Sequence, residues 1–169
     1  GEINLEGSKS ISNRVLIIRS LCPDKFKIKH ISESDDTIRL FELLKSEDIV
    51  LNAGDGGTTF RFLLALLATH KGQSILTGSE SLLKRPVAPL VDALNELGAD
   101  IQYLGYHGHP PLLVQGKKFE NNRVEIDAGV SSQFITALLL VAPVLPKGLV
   151  LKLKGEVVSS PYIKMTIDI

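Results

Sequence analysis

Three times in 169 residues the chain passes from a few small polar residues straight into an almost unbroken apolar run. The openings are Ser8-Lys9-Ser10 before Ile11–Cys22, Gly56-Gly57-Thr58-Thr59 before Phe60–Ala68, and Ser131-Ser132-Gln133 before Phe134–Leu145. Runs such as Val15-Leu16-Ile17-Ile18 and Leu63-Leu64-Ala65-Leu66-Leu67 leave no polar face at helical spacing, and a helix without one has to be buried on all sides. An ordinary doubly wound sheet with solvent-facing helices fits this poorly. The pattern predicts a core of helices with sheets and second helices wrapped outside.

A strand-like stretch follows each run, at Phe26–Ile31, Gln73–Thr77 and Leu149–Lys154. A second, amphipathic helix is predicted over Asp36–Lys45, Pro86–Leu97 and from Pro161 onward. In the middle copy Val87, Leu90, Val91, Leu94 and Leu97 fall on one stripe, and Gly98 supplies the stop. Further strand-like pieces lie at Asp48–Leu51, Asp100–Leu104, Leu112–Gln115 and Arg123–Ile126. The expected fold is therefore α+β, with βαβαββ units repeated, helices buried and sheets outside, and a third unit broken off at Ile169. Residues 1–169 read as one domain. The chain starts at Gly1 and stops inside an apolar pattern, so it reads as a fragment.

Nineteen basic residues balance nineteen acidic ones, which argues against nucleic acid or a membrane surface as partner. Any anion must be held by a few placed groups. The start, Gly1-Glu2-Ile3-Asn4-Leu5, lacks the features of a signal peptide, and Thr136 and Pro143 break the longest apolar stretch. The single cysteine, Cys22, cannot form an internal disulfide; its apolar neighbours predict a buried thiol in a reducing, cytoplasmic setting.

Each predicted buried helix opens with Ser, Thr or Gly, where unpaired N–H groups and the helix dipole attract phosphate or carboxylate. Simple N-capping is the commoner use of such residues. Three copies, two with a nearby cation, favour an anion site. Lys9 stands in the first opening, and Arg14 lies inside the apolar run, where a buried guanidinium needs a partner. Arg85, before Pro86, is expected at a helix start against the dipole, which suits a ligand anion; exposure beside Lys84 is the competing reading. His107-Gly108-His109 reads as a solvated loop and no metal centre, and Asp35-Asp36 as a helix cap before an acid pair. Gly54-Asp55-Gly56-Gly57 lacks the Gly-Lys-Ser/Thr ending of a nucleotide loop, and no Ser-His-Asp triad can be assembled.

Gly7-Ser8-Lys9-Ser10-Ile11-Ser12-Asn13-Arg14 resembles the N-terminal signature of the EPSP synthase (3-phosphoshikimate 1-carboxyvinyltransferase) family. The likeness continues in family order through Ser34-Asp35-Asp36-Thr37, Gly57-Thr58-Thr59-Phe60-Arg61, Lys84-Arg85-Pro86, Val130-Ser131-Ser132-Gln133 and Ser159-Ser160-Pro161-Tyr162. It implies transfer of the enolpyruvyl group of phosphoenolpyruvate to the 5-hydroxyl of shikimate 3-phosphate with release of phosphate, without metal or organic cofactor. It also implies two domains of three βαβαββ units each in a monomeric parent enzyme. This chain would be the N-terminal half, with residues 1–8 a strand or crossover to the other. By the resemblance Lys9, Ser10, Arg14, Ser131, Ser132, Gln133, Ser159 and Tyr162 would hold shikimate 3-phosphate. Lys9, Gly57, Thr58, Arg85 and Gln133 would hold phosphoenolpyruvate. The proton-transferring Asp, Glu and Lys of the family belong to the C-terminal portion, so no catalytic residue is expected here and the chain alone should be inactive.

Two features depart from the family pattern. Asp55-Gly56 stands where Asn-Ala is usual, and the link from Leu44 to Asn52 is short. The related enolpyruvyl transferase acting on UDP-N-acetylglucosamine carries a reactive cysteine in the loop matching Gly78–Arg85, where this chain has none. A non-catalytic phosphate-sensing module of the same fold is the other alternative; it would have no need of Lys9, Arg14, Arg85, Ser131, Ser132 and Gln133 together.

Overall fold

A computed structural model describes residues 1, 3 and 5–169. In chain order its elements are α1 (Lys9–Leu21), α2 (Asp35–Leu43), β1 (Val50–Asn52), α3 (Gly57–Thr69), β2 (Gly72–Thr77), α4 (Glu80–Leu83) and α5 (Ala88–Leu97). They continue with β3 (Asp100–Tyr103), β4 (Leu112–Gly116), β5 (Arg123–Asp127), α6 (Ser132–Val141), a 3-10 turn (Ala142–Val144), β6 (Val150–Lys154) and α7 (Ser160–Asp168).

Helices α1, α3 and α6 pack on one another. Around them lie a four-stranded sheet in the order β1-β2-β4-β3 and a two-stranded sheet, β5-β6. Strands β1 and β2 are parallel, and so are β5 and β6, while β4 runs antiparallel to both neighbours. A parallel pair needs a crossover, and α3 and α6 supply it. Both crossovers thread the core as the sequence pattern requires. In α3 Phe60, Phe62, Leu63, Leu64, Ala65 and Ala68 are buried; in α6 Phe134, Ile135, Ala137, Leu138, Leu140 and Val141 are. The stripe residues Leu90, Val91, Leu94 and Leu97 of α5 are buried, as is Val87 just before it, and Gly98 ends that helix at φ 116°, a left-handed conformation that favours glycine.

Helix α1 departs from the expectation. Its buried residues are Ser12, Asn13, Arg14, Leu16 and Ile17, while Ile11 is 45% exposed, so the helix is covered on one side only. Its polar inner face is tied down instead. Ser12 Oγ accepts from Ser32 N at 2.9 Å, and Thr37 Oγ1 donates to Asn13 Oδ1 at 2.7 Å. The stretch Phe26–Ile31, strand-like in sequence, enters no ladder. Ile28 and Ile31 rest on the core while Phe26, Lys27 and Lys29 face solvent. Side chains hold this segment: Arg19 Nε donates to Phe26 O at 2.7 Å, and Lys25 Nζ reaches the carbonyls of Arg19, Ser20 and Cys22, each at 3.0 Å. That cation meets the negative end of α1. Cys22, at the helix end, is half-buried and not enclosed as expected. Of residues 1–8, the described ones form no strand, and residues 2 and 4 lie outside the description.

Candidate anion-binding cleft

Four helix N-termini open onto one cleft of about 420 Å³. From the start of α1 come Lys9, Ser10 and Arg14, from α3 Thr58, from α6 Ser131, Ser132 and Gln133, and from α7 Ser159 and Tyr162. Phe62, Val130 and Val158 supply its apolar surface. Positive helix ends meeting at one place favour an anion there, since each brings N–H groups without intrahelical partners.

The ends are prepared differently. Ser8 Oγ accepts from Ile11 N at 3.5 Å and Ser131 Oγ from Gln133 N at 3.2 Å, so the capping reading holds at both. Helix α3 follows Gly56 and has no side-chain cap, which leaves its first amides open. Ser159, preceding α7, sits at φ 56°, a left-handed conformation uncommon outside glycine and often found where function fixes the backbone.

Arg14 is 3% exposed and makes four hydrogen bonds, all to neutral acceptors. Nε donates to Thr166 Oγ1 at 2.8 Å, Nη1 to Ser10 O at 2.7 Å, and Nη2 to Tyr162 O at 3.1 Å and Thr136 Oγ1 at 3.4 Å. The guanidinium also lies over the rings of Phe62 and Tyr162. Burial pulls its pKa below the ordinary arginine value, the nearby Tyr162 opposing.

Gly57 and Arg85 stand beside this cleft, at the mouth of α3. A Cβ on Gly57 would come within 2.5 Å of Arg61 Nη1 and 3.0 Å of Arg85 Nη1. Two guanidinium groups therefore meet at the uncapped end of a buried helix. Arg61 is 9% exposed, donates to Gln133 Oε1 at 3.0 Å, lies over the Phe134 ring, and keeps its Nε buried with no partner among the described residues. Burial, and then the charge of Arg85, lower its pKa. Arg85 is exposed and follows the end of α4, so the expectation that it opens a helix is corrected: Val87 precedes α5, and the arginine occupies the turn between the two helices.

Arg61 did not stand out in the sequence reading as a site residue. The signal was present: like Arg14, it is an arginine inside an apolar run. Asp36 was also missed as a partner. Its Oδ2 lies 3.0 Å from Lys9 Nζ, and its carbonyl accepts from Thr59 Oγ1 at 2.9 Å, linking α1, α2 and α3 at the cleft. Asp35 and Asp36 occupy the first turn of α2 after Ser34 and favour the dipole there, so neither is the cap. Asp55 directs its carboxylate away from the α3 amides to Ser79 Oγ and, at 2.6 Å, Ser81 Oγ. Those two donors, with a smaller contribution from Arg85, hold its pKa below the usual carboxylate range.

His107 is exposed and lies against Tyr103, the two rings tilted by 51° with centroids 4.7 Å apart. Among the described residues no group of three or more His, Cys, Asp or Glu side chains is placed to hold a metal ion. Among the described residues no helix is long and apolar enough to cross a membrane.

The family profile for EPSP synthase (3-phosphoshikimate 1-carboxyvinyltransferase) matches residues 41–169. A protein named 3-phosphoshikimate 1-carboxyvinyltransferase from Bacteroides fragilis is 42% identical over 167 residues, which cover 99% of this chain and 41% of that protein. One of the same name from Colwellia psychrerythraea is 40% identical, covering 100% of this chain and 46% of its own length. The chain thus spans less than half the length of these curated relatives. A solved EPSP synthase from Acinetobacter baumannii superposes with a TM-score of 0.74 at 24% identity, over 84% of this chain and 38% of that one, and shares the mixed helix and strand fold. Sequence likeness over nearly the whole chain, joined to that fold, makes this protein a member of the EPSP synthase family.

Proposed function

We propose that the chain is the N-terminal, substrate-holding part of an enzyme that transfers the enolpyruvyl group of phosphoenolpyruvate to the 5-hydroxyl of shikimate 3-phosphate, releasing phosphate, in aromatic amino acid biosynthesis in the cytoplasm. The observation that carries the reading is the meeting of four helix N-termini with two separate cationic centres, Arg14 in the cleft and the Arg61–Arg85 pair beside it. Two substrates that each carry a phosphate and a carboxylate need two such centres. The relatives' name, 3-phosphoshikimate 1-carboxyvinyltransferase, supports the pairing of substrates.

In this reading shikimate 3-phosphate occupies the cleft. Ser131, Ser132 and Ser159 receive its phosphate, while Ser10 and Arg14 hold the ring side, Arg14 through the carboxylate and Tyr162 beside the ring. Phosphoenolpyruvate lies at the mouth of α3 on Gly57, Thr58 and Arg85. Lys9 and Gln133 stand between the two. Fixing both reactants and surrounding them with pre-set positive charge lowers the barrier through proximity and electrostatic stabilisation. The step joins the 5-oxygen to the enolpyruvyl carbon and breaks that carbon's bond to phosphate oxygen, and it requires proton transfers. Among the described residues the cleft lining holds no carboxylate or histidine; in this reading the groups that serve them belong to the C-terminal portion, and the 169-residue chain alone turns over no substrate. The architecture belongs to the same proposal: a repeated βαβαββ unit, complete from β1 to β4, present as βαβα from β5 to α7, and represented in the first copy by α1 and α2 alone.

Titration with shikimate 3-phosphate and phosphoenolpyruvate, followed through backbone amide shifts, tests the assignment. Shifts are expected at Lys9, Ser10, Ser131–Gln133 and Ser159 for the first ligand and at Gly57 and Thr58 for the second. No shift at any of them favours a non-catalytic module, and measurable turnover by the isolated chain overturns the assignment of proton transfer elsewhere.

A further inference from the structure

We propose that Asp55 is a positioning residue for Arg85: its Oδ1 pins the Ser79–Arg85 segment onto the glycine loop, so that the guanidinium of Arg85 stands at the mouth of α3. The inference rests on the reading of that mouth as a phosphate site. The Gly54–Gly57 loop and the chain leaving β2 lie side by side. Ala53 N donates to Thr77 O at 2.9 Å and Ser79 N to Gly54 O at 3.0 Å, and a Cβ on Gly78 would come within 2.8 Å of Gly54 O. This backbone pairing stops at Ser79. Beyond it, α4 is a helix of four residues, too short to be stable on its own. Two anchors fix it: Leu82, buried in the core, and Asp55, which accepts from the hydroxyls of both Ser79 and Ser81. Arg85 comes two residues after the end of α4, so the placement of that turn decides where its side chain starts.

Both hydroxyls donate to the same oxygen, Oδ1. The tie and the charge of Asp55 are therefore separable. Asparagine keeps a carbonyl oxygen in that place and loses only the charge; alanine loses both; removing the two hydroxyls keeps the charge and loses the tie, together with the Ser79 cap that accepts from Leu82 N at 3.3 Å. The carboxylate opposes a bound phosphate, weakly, because it is exposed to screening solvent. The place of an aspartate beside an anion site is thereby explained by the geometry it imposes.

The experiment compares the wild-type chain with Asp55→Asn, Asp55→Ala and the double variant Ser79→Ala/Ser81→Ala. Nitrogen-15 relaxation of the Arg85 amide and Nε is measured without ligand, and inorganic phosphate is then titrated while the Gly57 amide is followed. Asp55→Asn should keep Arg85 ordered and bind phosphate as well as wild type or about threefold more tightly. Asp55→Ala and the double variant should both loosen Arg85 and bind phosphate about fivefold more weakly than Asp55→Asn, as expected for the loss of one or two hydrogen bonds. Equal order at Arg85 in all four proteins overturns the proposal, and so does Asp55→Asn behaving like Asp55→Ala. Loosening of Arg85 in the two untied proteins without any phosphate response in wild type upholds the positioning role and rejects the phosphate reading instead.

Discussion

Arg14 and Arg61 are both arginines inside apolar helices, 3% and 9% exposed, yet the fold treats them in opposite ways. Arg14 is surrounded by acceptors. Its four bonds reach Ser10 on its own helix, Thr136 on α6, and Tyr162 and Thr166 on α7. Among the described residues Arg61 has one bond, to Gln133, a bare Nε, and another guanidinium close by. A buried guanidinium with four of its five donors used serves the structure and keeps one Nη1 proton for a ligand. One left short of acceptors beside a like charge is costly to fold and is relieved by an arriving anion. The cleft therefore has a finished side, where α1, α6 and α7 are tied together, and an unfinished side at the start of α3.

The largest test of that contrast is Arg14→Met. It should lower the unfolding free energy by about 3 kcal/mol, because hydrogen bonds joining three helices vanish and their acceptors stay in place. Urea denaturation measures it, and a loss under about 1 kcal/mol would show that Arg14 is no structural tie. Gly57→Ala comes next. The new Cβ meets the far ends of two flexible side chains, so stability should change little, while the displaced guanidinium groups cost about tenfold in phosphate affinity, roughly 1.4 kcal/mol. An unchanged phosphate titration would separate Arg61 and Arg85 from anion binding.

Arg61→Met should leave stability within about 1 kcal/mol of wild type, in either direction, since an apolar side chain of similar length replaces a poorly satisfied charge. The same variant should lose the rise in urea midpoint that phosphate confers on the wild type, which at ten times Kd corresponds to about 1.4 kcal/mol. A destabilisation as large as that of Arg14→Met would erase the distinction between the two sides. Smallest is Asp36→Asn, which removes a half-exposed ion pair with Lys9 and should cost about 0.5 kcal/mol. A markedly larger cost would mean that the finished side extends to Lys9.

Much of this was legible in residues alone. Uniformly apolar runs behind small polar openings dictated that α3 and α6 be enclosed, and the stripe in α5 with Gly98 after it fixed that helix. The same pattern misled at α1, because periodicity counts Ile11 as core-seeking but does not show whether any element arrives to cover it. Phe26–Ile31 carries strand-like residues, yet a strand exists only where a partner edge is offered. Arg85 was read against Pro86 as a helix opening, whereas the short α4 ahead of it and the start of α5 at Ala88 leave it in the turn between.

Sequence by itself determined the buried crossover helices and the amphipathic α5, their polar openings and the family, since these depend on local spacing and on residue identity along the chain. Tertiary structure decided which openings share a cleft, that Arg61 meets Arg85 at Gly57, and that Asp55 turns toward Ser79 and Ser81. Those pairings join residues 24 to 26 positions apart through side-chain directions. No local periodicity encodes them, because they arise only when the crossover helices are buried and the loops at their N-terminal ends are drawn together.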